Sequence, residues 1–318
     1  MAYAHFSRGS RSWAARCALA CLLSLLAFAA SAQICPSGVT IVVGFTPGGS
    51  NDVIARTLAP KLSEILGVPV IVDNKPGASG AIGTAYVVNS KPDGCTITLG
   101  STSVLSIGPH TNPHLPYKLS DLTAVATVAS SASVVAVNPE VPAKTMPELI
   151  ALAKSRPVSL ASAGAGGISH LNIELLKADT GANFLHVPYK GAAPGVNDVV
   201  GGQVDGIIMD YSALQSMINQ GRLRAIAGSR TIGSIASSDM VIAAWYGVMA
   251  PAKTPRSTIN ALHAAFTKVL ADPDIKAKLD KLGIEPFVQP TPEEADAYIR
   301  ADSARWGALV KASGIKFD

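Results

Sequence analysis

The sequence predicts an α/β protein whose sheets are parallel-rich and built from βα units. Short apolar runs alternate with segments of helical period over most of the chain, the pattern left by strands joined through crossover helices. From Pro255 onward that alternation stops and the chain reads as helices alone. Length adds a third observation. Of 318 residues, 286 follow a removable leader, near the size at which one core stops growing and a second lobe forms.

The leader is residues 1–32. Arg8, Arg11 and Arg16 form a basic start without acids, 18–30 is a short apolar run, and Ala30-Ser31-Ala32 is a small-residue cleavage site before Gln33. This is the layout of a secretory signal peptide cleaved near Ala32. The run is shorter than the ~20 apolar residues of a membrane span. The whole chain carries 26 Lys+Arg against 22 Asp+Glu; without the three leader arginines 23 bases face 22 acids, a net charge of +1. No basic cluster with interleaved aromatics survives, which argues against a nucleic-acid partner.

Strands are expected at 39–43, 68–72, 96–99, 134–137, 159–161, 184–187, 204–208 and 224–227. Ile54, Leu58, Leu62 and Ile65 recur at helical steps after the first of them, with Pro60 expected to kink that helix. The apolar run 122–137 has few turn signals and reads as a strand able to cross between lobes. Thr145-Met146-Pro147-Glu148 is a capping box that opens a helix ending near Ser155. The C-terminal helices are expected at 255–271, 273–282 and from Thr291 to about Ala312. Their Leu262, Phe266, Val269, Tyr298, Trp306 and Leu309 have the spacing of core positions.

Four loops follow expected strands and precede expected helices: 45–52, 101–106, 162–170 and 188–194. In parallel α/β sheets the ligand crevice lies beyond the carboxyl ends of the strands, where all four belong. They are rich in Gly, Ser, Thr and Ala, which lets backbone N–H groups come close to a ligand. The first N–H groups of each following helix are unpaired and partly positive, so a carboxylate or phosphate is their natural partner.

Enzyme motifs are weak by comparison. Residues 77–83 have the spacing G-x-x-G-x-x-G, not that of a dinucleotide loop, and no phosphate loop or nucleophile elbow occurs. His170 and His186 have no third ligand at metal spacing, and no nucleophile with a base beside it is evident. Asp52 reads as a first-turn residue favoured by the helix dipole. His170 either bonds a ligand or caps its loop. Asp210 either receives a ligand hydroxyl, ammonium or water, or caps the helix that begins near Tyr211. Such loops hold an anion with neutral donors and carry almost no acid–base machinery. No cofactor or metal is expected.

Several of these segments form a recognisable set: Gly44-Phe45-Thr46-Pro47-Gly48-Gly49-Ser50-Asn51-Asp52, Asp73-Asn74-Lys75-Pro76-Gly77-Ala78-Ser79-Gly80, Lys91-Pro92-Asp93-Gly94, Ala161-Ser162-Ala163-Gly164 with Ser169-His170, His186-Val187-Pro188-Tyr189-Lys190-Gly191, and Gly201-Gly202-Gln203-Val204-Asp205. With them the chain resembles the extracytoplasmic solute receptors of tripartite tricarboxylate transporters, the Bug family, over essentially all of residues 33–318. The resemblance implies a two-lobed periplasmic binding protein fold of type II, each lobe a parallel-rich sheet flanked by helices. Lobe 1 would comprise 33–131 and 243–318, and lobe 2 would comprise 132–242. It also implies a monomer in the periplasm that captures a small carboxylate and delivers it to membrane transporter subunits. The competing readings are an exported enzyme acting on a small carboxylate and a binding protein that feeds a membrane sensor.

Carried over by position, Phe45, Thr46 and Gly49 line one wall of the cleft, with Gly48 and Ser50 in the same loop and Ser101 and Thr102 beside them. Ala163, Gly164, Ser169 and His170 line the other, with Tyr189, Gly191 and Asp210 nearby. In a doubly wound sheet of this type the strands that follow Cys35 and Cys95 are parallel neighbours, which would put both thiols at one edge within reach of a disulfide. Two departures from the family stand out. Segment 231–241 is shorter than the usual Pro-rich stretch and acidic turn, and Met209-Asp210 replaces a common Asp-Asn, which removes one polar contact from the cleft.

Overall fold

The computed structural model describes residues 34–228 and 243–314. The leader and the shortened 231–241 segment lie outside the described residues.

Three parallel strands, β1 (Val39–Val43), β2 (Val70–Asn74) and β3 (Thr96–Ser101), run in the order β2-β1-β3. β4 (Leu122–Val137) is a single long strand. From Leu122 to Ala132 it pairs antiparallel with β9 (Ala243–Pro251), which in turn pairs with β3, and β10 (Ile284–Pro286) adds to its other side. From Ser133 to Val137 its partners change to β7 (Gly206–Asp210) and β8 (Arg224–Gly228). β7 lies parallel to β5 (Val158–Ser162), and β5 to β6 (Phe184–Pro188). The apolar run 122–137 thus belongs to both halves of an α/β architecture, each half a parallel trio extended by antiparallel strands.

The helices are α1 (Ser50–Leu66), α2 (Ala81–Val88), α3 (Met146–Ser155), α4 (Ile168–Thr180), α5 (Ala192–Val200), α6 (Tyr211–Asn219), α7 (Arg256–Ala271), α8 (Pro273–Lys281) and α9 (Pro292–Ser313). A π-helical turn, Ser103–Ile107, follows β3. Thr145 and Thr291 accept the N–H groups of Glu148 and Glu294 and so open α3 and α9. α1 runs on through Pro60, whose ring lies on the exposed side of the helix, and stops at Gly67 in the left-handed conformation.

Two expected strands begin two residues late, β2 at Val70 and β7 at Gly206. Val68 and Val204 are buried, yet each sits in the turn before its strand. Apolar pattern reports burial, and pairing then starts where the ladder allows. Leu262, Phe266, Val269 and Trp306 are buried in the larger core, which lies under β1, β3, β4 and β9, and Tyr298 packs against it. Cys35 and Cys95, before β1 and β3, are joined by a disulfide with their Cα atoms 5.2 Å apart.

Candidate functional site

The carboxyl ends of β1, β3, β5 and β7 converge on one narrow cleft between the two halves, with a free volume of about 40 Å³. Phe45, Gly49, Ser50 and Asn51 line it from the β1–α1 connection, Ser101 and Ser103 from the end of β3, and Ala163, Ile168 and Ser169 from the β5–α4 connection. Ala192, Met209, Asp210 and Ala244 complete it. The starts of α1 and α4 therefore face one space, and the first N–H groups of a helix have no carbonyl partner within it.

Asp52 holds the first wall in shape. Its carboxylate accepts the N–H of Gly48 at 2.9 Å, a side-chain N–H of Asn74 at 2.9 Å and the guanidinium of Arg56 at 2.9 Å. Asn74 also donates to the carbonyl of Phe45. Burial alone would raise the Asp52 carboxyl, but the bonds from Arg56, Gly48 and Asn74 outweigh it and hold the group below the usual carboxylate value. Asp52 is thus a brace for the 45–49 turn. The N–H of Gly48 is used inside the wall, and Gly48 does not line the cleft. Asn51 fixes the next turn by donating to the carbonyl of Leu99 at 3.0 Å.

The second wall is held by an imidazole. His170 Nδ1 accepts the N–H of Gly166 at 2.9 Å, and its ring stacks on His186 at 3.7 Å between centroids. Of the two roles left open for His170, the geometry is that of the loop cap, and the ring does not line the cleft. Burial pushes His186 down to about 3, with the neighbouring His170 adding to the effect, and burial also lowers His170. His186 Nε2 lies 2.6 Å from Ser162 Oγ, a serine–histidine pair that the sequence did not disclose. Ser162 is fully buried and donates to the carbonyl of Gly164, so the pair secures the loop. Gly164 borders a side hollow shared with Phe45, Ser79, Ser103 and Ser169.

The floor is Met209 and Asp210. Asp210 occupies the N-cap position of α6, but its side chain caps nothing there. It accepts hydrogen bonds from the Tyr246 hydroxyl on β9 and, at 3.5 Å, from Ser133 Oγ on β4. Burial pushes its carboxyl up to about 6, against the hydrogen bonds from Tyr246, Ser50 and Ser133 that pull it down.

The remaining expected residues lie elsewhere. Thr102 is buried and clasps β9 by accepting the N–H of Trp245 at 2.9 Å. Tyr189 donates to Asp198 at 2.6 Å and packs against the smaller core. Thr46 and Gly191 meet face to face: Gly191 has φ +153°, and a side chain there would run into Thr46. Thr46 Oγ1 is buried with no hydrogen-bond partner among the described residues. Ser103, which lines the cleft, lies within the expected 101–106 loop, whereas nothing local in the sequence marks Tyr246, a strand tyrosine whose hydroxyl reaches a residue in the other half.

Among the described residues the one cluster with metal-ligand geometry is Cys35, Asp93 and Cys95, and its two sulfurs are already bonded to each other. No described helix is long and apolar enough to cross a membrane.

A family model described as the tripartite tricarboxylate transporter family receptor matches residues 54–315. Protein BugT of Bordetella pertussis is 34% identical over 293 residues, covering 87% of this chain and 90% of BugT. Among solved structures, Rpa4515 of R. palustris with adipate superposes with a TM-score of 0.83 at 30% identity, covering 88% of this chain and 98% of that one. MatC from Rhodopseudomonas palustris with bound malate gives a TM-score of 0.80 at 25% identity, covering 86% and 99%.

Proposed function

Because the chain belongs to the tripartite tricarboxylate transporter receptor family, we propose that it captures a small carboxylate in this cleft and hands it to the membrane subunits of such a transporter. The family is one of periplasmic solute-binding proteins, not of enzymes. The observation that carries the proposal is the convergence of α1 and α4, from opposite halves, on one small space where Ser50, Asn51, Ser101, Ser103 and Ser169 offer neutral polar groups. Two helix N-termini favour an anion between them, and the walls offer hydroxyl and amide donors to orient it. The adipate and malate held by the two solved relatives support the same class of ligand.

In this reading Phe45, Gly49, Ser50, Ser101, Ala163 and Ser169 touch the ligand. Thr46, Gly48, Thr102, Gly164, His170, Tyr189 and Gly191 shape or close the walls around it. Residues 33–131 with 243–318 form one lobe, residues 132–242 the other, and the protein works as a monomer after removal of the leader near Ala32. A ligand that bridges the lobes favours the closed form to the extent that it binds that form better.

A thermal-shift screen against small carboxylates, followed by calorimetry on the hits, tests the proposal. A ligand at 100 times its dissociation constant adds about 2.7 kcal/mol of stability. A screen in which only non-acidic compounds shift the transition would overturn it, as would turnover of any bound carboxylate.

A further inference from the structure

Asp210 is the one ionisable side chain among the described residues that line the cleft, and no cationic side chain stands beside it there. It takes part in none of the ion pairs among the described residues. Its neighbours are neutral hydroxyls from three elements: Tyr246 on β9, Ser133 on β4 and Ser50 at the start of α1. Although it stands at the N-cap of α6, it accepts nothing from that helix. The carboxylate is therefore committed neither to a salt bridge nor to a cap. A carboxylate offers about four acceptor positions, so the bonds from Tyr246, Ser133 and Ser50 leave one of them for a ligand. Met209 beside it supplies an apolar wall and no competing donor.

An unpaired carboxylate drawn out of water is unfavourable, and an opposite charge brought against it removes the penalty. The cleft then has two electrostatic poles. The helix starts at Ser50 and Ile168 attract an anion, and Asp210 attracts a cation or a strong donor. A ligand carboxylate placed against Asp210 would instead set like charge against like.

Resting on the carboxylate-binding reading above, we infer that the ligand is a small amino-carboxylate, its carboxylate on the α1 and α4 termini and its ammonium group on Asp210, and that Asp210 selects it over a plain dicarboxylate.

The test is isothermal titration at pH 7.5 of the wild type and Asp210→Asn with ligands paired by skeleton: aspartate with succinate, glutamate with glutarate, 4-aminobutanoate with butanoate. In at least one pair the amino member is expected to bind the wild type at least tenfold more tightly, and Asp210→Asn is expected to abolish most of that preference. Equal or tighter binding of the member without nitrogen by the wild type would overturn the inference and leave carboxylate binding standing. An unchanged ratio in a folded Asp210→Asn would overturn it as well. Should that variant fail to fold, the wild-type ratio decides alone. Binding of simple amines without a carboxylate, or of no pair at all, would remove both readings.

Discussion

Ser50 Oγ and Ser212 Oγ lie 2.8 Å apart, one at the start of α1 and the other in the first turn of α6, so the two halves of the protein touch through a serine–serine hydrogen bond at the cleft. Similar contacts flank it. Thr111 Oγ1 donates to the Gly166 carbonyl at 2.7 Å, Ser103 Oγ accepts the Ile168 N–H at 3.1 Å, and Ser79 donates to the Ala165 carbonyl. These bonds tie the two halves together around the cleft.

Thr111→Val tests how much such a contact contributes. Thr111 does not line the main cleft, so the variant leaves the ligand's own contacts in place. Loss of its bond to Gly166 is expected to shift the ligand-free protein toward an open form and to weaken binding about fivefold, near the ~1 kcal/mol of a typical hydrogen bond. Small-angle scattering reads the first effect and calorimetry the second. Unchanged values for both would mean that the contact contributes nothing to closure.

Gly164→Leu is expected to block binding by more than tenfold. Gly164 has φ +147°, which side chains rarely adopt, and any side chain there would strike Ser79 from the other half. Asp52→Asn is expected to behave differently, lowering stability by about 1–2 kcal/mol through loss of the charged bond to Arg56, with a smaller change in affinity. Denaturant unfolding and calorimetry on both variants separate the two effects.

Asp210 sets a pH signature. Its folded value, about 6, lies above the 3.8 of an unperturbed aspartate. The stability associated with its protonated form is complete below about pH 4 and is lost as pH rises through 6. In ligand-free protein Asp210→Asn is therefore expected to raise the melting temperature at pH 8 and to leave it nearly unchanged at pH 4. A variant less stable than wild type at pH 8 would contradict this.

The stacked pair His170 and His186 works in the opposite sense. Both are held below the ordinary value of 6.5, His186 at about 3, chiefly by burial. Their contribution is present above pH 6.5 and is lost as the solution is acidified toward the folded values. Unfolding free energy measured between pH 7 and pH 4.5 is expected to fall in the wild type and to fall less steeply in His186→Gln.

Reduction tests the Cys35–Cys95 bond. It closes a loop with a sequence separation of 60, for which the chain-entropy model gives about 4 kcal/mol. Dithiothreitol is expected to lower the melting temperature of the wild type and to leave a Cys35→Ser, Cys95→Ser double variant unmoved. Mass spectrometry of alkylated, non-reduced protein counts the free thiols directly.

Where the chain's own periodicity decides structure, the sequence is a good guide. β1, the helices at 256–271 and 292–313, and the caps Thr145 and Thr291 can be read directly, because apolar spacing and capping chemistry act within a few residues. The loops at 45–52, 101–106 and 162–170 can be read for the same reason, and they do meet at the cleft. Roles set by distant partners cannot. Asp52 looks like a helix-dipole residue until Asn74 and Gly48 are brought to it. Thr102 looks like a cleft residue until β9 is laid beside β3 and takes its hydroxyl. Asp210 turns from its own helix to Tyr246 only because β4 carries both sheets side by side.

The position of β9 also has a consequence in time. It lies between β3 and β4, and Ser101 pairs with Tyr246 only after the whole stretch from α3 to β8 has been made. A chain that emerges from its N-terminus can assemble β4 through β8 on its own, whereas β1, β2 and β3 wait with one flank of β3 unpaired. Contacts so distant in sequence form slowly, and an exposed strand edge invites pairing with another chain. The half that contains both ends of the described chain is thus the last to be completed, and during that interval the nascent protein is most in need of protection.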